Sequence, residues 1–409
     1  MIQNIYGNAT SHSFYYCNPL FDLSLGNADT KELMPAAAEM CCLFIPCTHS
    51  GDNILINVSL PDTYWKYLAD NRLPCPRQVD MNEQCPGLNG VPWGWNSEAV
   101  AVFREIGVQC NNPELSIVRK VNARKFSFAF NTKSQTGVPG ACYCTSLTEA
   151  QQKIDSWHRF PLVIKPDFGN AGYGFIRKEQ CYLGDNELRQ LELFFVNGDG
   201  VTIEPWYTRT ADISSRCTIT PEGNILDVRH HRTLSNRAGT FFADLVDPDD
   251  AVISFWKETL DTAVYDAANE LYKAGYFGPA GFDSFEWLDH NGKRRLAAVI
   301  EINARHPMSS VTYALREKLA PDQATLFRFI SRKRHRLPET YPALKKILGD
   351  DAYSPQKMRG ILVVTPLRVS HTPQHWIQPA RSAFFIGADS AEKVLALDEK
   401  LRNNFLKNR

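Results

Sequence analysis

The chain has 409 residues, 44% hydrophobic and 22% charged, which suits a globular protein with two or three sizeable cores. Lys plus Arg number 45 and Asp plus Glu number 45, so bulk charge gives no reason to expect a nucleic-acid or membrane partner. No stretch approaches the ~20 apolar residues of a membrane span. Met1-Ile2-Gln3-Asn4 lacks the basic and apolar regions of a leader, and eleven cysteines, none after Cys217, point to reduced thiols in the cytoplasm.

In chain order, Phe44-Ile45-Pro46 and Ile54 to Val58 read as short buried strands and Asp62 to Asp70 as a helix. They predict an α/β N-terminal domain over residues 1–117. Leu73 to Asn96, rich in Pro, Gly and Asn, reads as a long loop, and Ser97 to Ile106 as a helix. Cys41, Cys42, Cys47 and His49 lie close together, but they lack the paired CxxC of a structural zinc site and read as small buried hydrophobes.

Phe160 to Pro166 reads as a strand that ends in a glycine-rich loop, with Lys165 just before Gly169, Gly172 and Gly174. Glycines let backbone N–H groups approach phosphate oxygens, and the lysine adds a point charge. The spacing is neither a Walker A loop nor a dinucleotide fingerprint, and a protein kinase has its glycine loop before its lysine. Val201 to Glu204 reads as the next strand, followed by Pro205-Trp206-Tyr207. The Pro205 carbonyl could accept from an adenine amino group, the Tyr207 N–H could donate to a ring nitrogen, and Asp212 could accept from ribose hydroxyls. The plain alternatives, a flexible turn and an ordinary strand end with surface acids, stay open for each segment taken alone.

Arg229 ends the apparent strand Ile225 to Arg229 and leads a cationic run whose later arginines fall in a loop. Residues 251 to 274 predict a helix, with Ile253, Trp256, Leu260, Val264, Ala267 and Leu271 on one apolar face. Two strands follow, one containing Asp283 and the other running through Val299-Ile300-Glu301-Ile302-Asn303-Ala304-Arg305. Glu301, Asn303 and Arg305 alternate and so share a face, as two oxygen donors and a fixed cation. That set suits a divalent ion and the phosphate it holds. A three-residue turn of Asn291, Gly292 and Lys293 places Asp283 opposite Glu301, whereas a two-residue Asn-Gly turn places it opposite Ile300. The tail after residue 330 shows one clear strand, Gly360 to Val364, and a last helix from Ala391.

Taken in order, the lysine and glycine loop, Glu-Pro-Trp, Asp, and Glu-Ile-Asn-Ala-Arg resemble the ATP-grasp superfamily over roughly residues 118 to 316. The resemblance implies a mixed α/β and α+β architecture, a Rossmann-like N-terminal domain followed by a two-lobed ATP-grasp fold. The lobes would span 118–200 and 201–330, with a C-terminal extension over 331–409. It implies that Lys165 binds the α/β phosphates, the loop of Gly169, Gly172 and Gly174 covers the β/γ phosphates, Glu204, Pro205 and Tyr207 hold adenine, and Asp212 holds the ribose. Asp283, Glu301 and Asn303 would ligate Mg²⁺, with Mn²⁺ as a substitute, and Arg305 and Arg229 would steady the transferring phosphoryl group. A further cation at the start of the first lobe would be Arg124 or Lys125. The implied activity is ATP-dependent joining of a small carboxylic acid and an amine (an amino acid or peptide) through an acyl phosphate. A phosphotransferase and a non-catalytic nucleotide binder are the alternatives, and a homodimer stays open.

Overall fold

The computed structural model describes residues 12–26, 30–169, 174–236, 239–372 and 375–406. Its N-terminal part is a parallel sheet of β1 (Ser13–Tyr16), β2 (Asn53–Leu55), β3 (Arg77–Val79) and β4 (Asn89–Pro92), in the order β3-β2-β1-β4. Helices α1 (Phe21–Leu25), α2 (Met34–Met40), α3 (Asp62–Asp70) and α4 (Ser97–Glu105) accompany it. Two expectations fail here. Phe44-Ile45-Pro46 lies in a 3-10 helix, Cys41–Cys47, in which every residue is buried. A short, wholly apolar run carries no period by which strand and helix can be told apart. The supposed loop from Leu73 to Asn96 contains β3 and β4, whose ladders with β2 and β1 outweigh the weak strand propensity of sequences such as Asn-Gly-Val-Pro.

Helices α5 (Leu115–Asn122) and α6 (Arg124–Ser134) lead to a small antiparallel sheet of β5 (Cys142–Cys144), β6 (Leu162–Pro166), β7 (Ile176–Lys178) and β8 (Val201–Pro205). The strand order is β5-β8-β6-β7. Alternate side chains, Leu162, Ile164, Val201 and Ile203, pack with α7 (Leu147–Asp155) and α8 (Asp185–Asn197). Lys165, Thr202 and Glu204 therefore take the opposite face, toward α6.

The body of the molecule is an eight-stranded antiparallel sheet in the order β13-β12-β9-β10-β11-β14-β18-β15. Its strands are β9 (Arg209–Ile219), β10 (Ile225–Ser235), β11 (Phe241–Val246), β12 (Gly278–Leu288), β13 (Arg294–Asn303), β14 (Ala324–Ser331), β15 (Gly360–Val363) and β18 (Arg381–Ala388), while β16 (Val369–Thr372) and β17 (His375–Ile377) form a separate ribbon. Helix α9 (Ala251–Lys273) is capped by Asp250 and buries Leu260, Val264, Ala267 and Leu271, the predicted face. It packs beside His230, whose Nε2 meets Asp261 at 2.8 Å, so α9 covers one face of the sheet. The next residue, His231, points the other way to Asp244 and Tyr313 of α10 (Ser309–Leu319). β10 runs on to Ser235, so Arg232 is on a strand and not in the expected loop, and Arg237 is outside the described residues. After α11 (Tyr341–Leu348), the C-terminal segment adds β15, β18 and α12 (Ala391–Phe405) to this same sheet, tied by Arg328 to Asp398 at 2.6 Å. Among the described residues no helix is long and apolar enough to cross a membrane.

Candidate active site

The site is built on the hairpin of β12 and β13. Asp289 N–H bonds the Lys293 carbonyl at 2.9 Å, and the Asp289 carboxylate takes the N–H groups of Asn291 and Lys293. The turn thus holds His290, Asn291 and Gly292, a three-residue turn set one position earlier than expected, with Gly292 at φ 71°. From there Leu288 faces Arg294 and Phe285 faces Ala297, a register that continued would place Asp283 opposite Val299. A bulge intervenes: Ser284 alone stands against Ala298, Val299 and Ile300. The Ser284 hydroxyl closes on the Ala298 carbonyl at 2.6 Å, and the N–H groups of Ala298 and Val299 reach the Thr136 carbonyl. The slip is two residues, so Glu301 keeps the face of Asp283 and comes directly opposite it.

The surrounding charges differ for the two acids. Burial and the facing Glu301 carboxylate push Asp283 up to about 6, against the pull of Arg305 and the Asn303 amide. Burial works the same way on Glu301, but Arg124, whose Nη2 lies 2.7 Å away, leads a set of cations that holds it below the ordinary carboxylate range. Asn303 Nδ2 donates to Asp283 at 3.2 Å, and Arg305 Nη2 donates to Asn303 Oδ1 at 3.1 Å. Arg305 Nε in turn donates to Asp22 of α1 at 2.8 Å. Burial lowers the Arg305 pKa, but Asp22, Asp283 and Glu301 together outweigh it and hold it above its usual value.

The small sheet brings its own cations to the same place. Lys165, 4% exposed, donates to Glu204 at 2.6 Å. Arg124 and Lys165 both lie over the Phe175 ring, at 5.2 and 5.8 Å. Lys125 points elsewhere: it is exposed and sits 5.9 Å from the Tyr143 ring. Asp167 holds the start of α6 to the base of the glycine loop. Its carbonyl takes the Arg124 N–H, and its carboxylate takes the Lys125 N–H, the Tyr143 hydroxyl and the Asp199 N–H. Gly169 follows two residues later, Gly174 sits at φ 86° with open space where a side chain would start, and Gly172 lies outside the described residues.

Pro205 closes β8 opposite Leu162. Tyr207 lies tilted against Trp287 with ring centroids 4.8 Å apart, Arg159 donates to its hydroxyl, and Asp212 is held by Arg209 at 2.7 Å. A cavity of about 320 Å³ opens beside Glu204, walled by Arg124 and Phe128 of α6, Val138, Thr202 and Ile300. Arg229, like Lys125, is not gathered here. It lies in the cross-strand row Asn303, Gly281, Arg216, Arg229, three strands from Asn303, which is roughly 14 Å at ordinary spacing. Asp227 and Glu317 engage its guanidinium.

No protein-family model and no curated protein matches the chain. Solved structures do match over nearly its whole length. Against the biotin carboxylase of Campylobacter jejuni in its β-γ-ATP complex, the TM-score is 0.55 at 12% identity, covering 98% of this chain and 93% of the other. Against the carboxyaminoimidazole ribonucleotide synthase of Aspergillus clavatus with ATP, it is 0.53 at 12% identity, covering 96% and 98%. The biotin carboxylase domain of the Hydrogenobacter thermophilus 2-oxoglutarate carboxylase, a dimer with MgADP, ADP and bicarbonate, gives 0.55 at 12% identity, covering 97% and 90%. These neighbours are ATP-grasp ligases. The chain has the ATP-grasp fold.

Within that ATP-grasp framework the donor set fits a hard divalent ion. Among the described residues no three His, Cys, Asp or Glu side chains cluster as a metal cage. Asp283, Glu301 and Asn303 instead supply oxygen chemistry, two carboxylates and an amide, as Mg²⁺ prefers. Burial first and the facing Glu301 carboxylate second raise the Asp283 carboxyl, and a cation between the two acids would remove the repulsive part. Cys41, Cys42 and Cys47 are buried, and His49 pairs with Asp52. Sequence reasoning left Arg124 and Lys125 unresolved, and the bond to Glu301 separates them. It missed Asp22, and no local signal could have found a residue 283 positions from its partner.

Proposed function

We propose that the chain is an ATP-dependent ligase joining a small carboxylic acid to an amine through an acyl phosphate. The observation that carries this reading is Asp283 facing Glu301, with Asn303 beside them and Arg305, Arg124 and Lys165 around them. Asp283, Glu301 and Asn303 would hold Mg²⁺, which when bound neutralises phosphate charge. Lys165 and the loop carrying Gly169, Gly172 and Gly174 bind the phosphates. Glu204, Pro205 and Tyr207 hold adenine, Asp212 holds the ribose, and the cavity beside Glu204 falls in the ~300–1,000 Å³ range of small-molecule sites.

The acid's carboxylate oxygen forms a bond to the γ-phosphorus as the bond to ADP breaks. The amine nitrogen then attacks the acyl carbon, phosphate departs, and the nitrogen loses a proton. Arg305, fixed by Asp22, and Arg124 stabilise charge on the phosphoryl oxygens, work that needs positioned cations rather than a covalent group. In the same reading the regions 1–117, 118–200, 201–330 and 331–409 are the N-terminal domain, the two lobes and the extension. A phosphotransferase on this fold is the other reading. The fold is shared with ligases, which favours C–N bond formation.

The test offers MgATP with pools of small acids, bicarbonate included, and pools of amines, measures phosphate release and identifies products by mass. ADP, phosphate and a new C–N bond are expected. ADP with a phosphoester and no free phosphate would replace the ligase by the phosphotransferase.

A further inference from the structure

The small sheet carries a pair of cysteines that the ligase reading does not use. Cys142 and Cys144 take alternate positions on β5, opposite Ile203 and Val201 of β8, so both sulfurs lie on the face that packs with α7 and α8. Cys144 is fully buried, Cys142 is half-buried, and both are free thiols. β5 is three residues long and stands at the edge of its sheet.

The two sulfurs differ in chemistry. A hydrogen bond from the Cys144 thiol, helped by Lys153, holds Cys142 below the usual thiol range against the opposing effect of burial. The same bond, and burial after it, pushes Cys144 up. In Cys17, Cys41, Cys42 and Cys47 burial pushes the thiol up. A half-exposed sulfur that gives up its proton readily, beside a buried thiol that keeps one, is the arrangement of an attacking and a resolving cysteine.

Tyr143, between them, faces the other way. Its hydroxyl donates to Asp167 at 2.7 Å, and that carboxylate also takes the Lys125 and Asp199 N–H groups at the base of the glycine loop. Two residues of strand separate Cα atoms by about 6.6–6.8 Å, the upper limit of the ~4.4–6.8 Å that a disulfide spans. Joining the sulfurs therefore draws β5 in by roughly 1 Å, and Tyr143 moves with it.

We propose that Cys142 and Cys144 are a peroxide-oxidisable dithiol whose closure to a disulfide draws Tyr143 away from Asp167 and loosens the glycine loop. The Cys142 thiolate attacks one oxygen of hydrogen peroxide. The O–O bond breaks, hydroxide leaves and takes up a proton, and Cys142 becomes a sulfenic acid. The Cys144 sulfur then attacks the Cys142 sulfur. The S–S bond forms, the S–O bond breaks, and the departing hydroxide leaves as water with the Cys144 proton. Two thiols lose two electrons and two protons, and one peroxide becomes two waters. In the ligase reading the loop covers the phosphates, so oxidation would slow turnover; that consequence rests on the reading, and the disulfide does not.

The experiment treats the full chain with stoichiometric hydrogen peroxide, alkylates the remaining thiols and measures the mass of the tryptic peptide from Ser134 to Lys153, which holds these two cysteines and no other. The expected peptide is about 2 Da lighter than its reduced, unalkylated form and is restored by dithiothreitol. Cys144→Ser should instead leave a sulfenic acid at Cys142 that dimedone captures, and Cys142→Ser should leave Cys144 unoxidised. Hydrogen exchange at the Lys125 and Asp199 amides should quicken about tenfold when wild type is oxidised, as for loss of one hydrogen bond, and stay unchanged in Cys144→Ser. A wild-type peptide recovered with both thiols alkylated overturns the dithiol. A disulfide that forms while both amides keep their protection overturns the link to the loop. These readouts need no nucleotide, so their failure is distinct from failure of the ligase reading.

Discussion

Asp283 and Glu301 face each other across β12 and β13, yet one is pushed toward its protonated form and the other held ionised. The difference comes from Arg124, which lies against Glu301, while among the described residues Asp283 has an amide at hydrogen-bond distance. Proton and metal ion should therefore compete at Asp283.

An unfolded aspartate titrates near pH 3.9, and Asp283 in the fold near 6. The folded protein binds this proton more tightly, so the linked stability is complete below about pH 4 and is lost as pH climbs through 6. Melting temperature between pH 4 and 8 should show that fall, Mg²⁺ should offset it increasingly above pH 6, and Asp283→Asn should flatten it. A Mg²⁺ effect independent of pH would rule the competition out.

Glu301→Gln should lower phosphate release by about 10²–10³ while circular dichroism stays that of the wild type. Full activity in this variant would remove Glu301 from the site.

Lys165→Ala, judged from the sequence, should stop turnover and leave the fold intact. The structure changes the second half of that expectation. Removing Lys165 strands Glu204, 7% exposed, without its partner. Loss of one member of a buried pair costs about 3–5 kcal/mol. Urea unfolding should show this loss, and adding Glu204→Gln should return much of the stability without the activity.

Arg124→Ala should depress turnover strongly, since it uncovers Glu301 and removes a cation from the phosphate side. Lys125→Ala, at an exposed position, should change kcat and KM less than about threefold, because surface substitutions away from such contacts shift energies within about 0.5 kcal/mol. Equal losses in both would return the choice between them to the open state in which the sequence left it.

Arg229→Ala should reduce stability more than chemistry, because Asp227 and Glu317 lose a shared cation three strands from Asn303. The separation predicts a melting-temperature drop with kcat held close to wild type.

Local pattern was enough for much of this molecule. The period of α9, the strand ending in Lys165, and the alternation of Glu301, Asn303 and Arg305 are properties of neighbouring residues, and each was legible before any fold was known. Those alternating residues also marked the face on which a metal is proposed. What pattern could not supply was anything held by distant backbone. The strand β3 exists because β2 is beside it, and Thr136, from another loop, satisfies the bulge that sets Asp283 against Glu301. Tertiary contact alone set Arg124 against Glu301 and left Lys125 at the surface, joined Asp22 to Arg305 and drew Arg229 away. Side-chain periodicity is written by covalent geometry along the chain, but pairing across space depends on burial, where each polar group must find a partner wherever the fold has placed one.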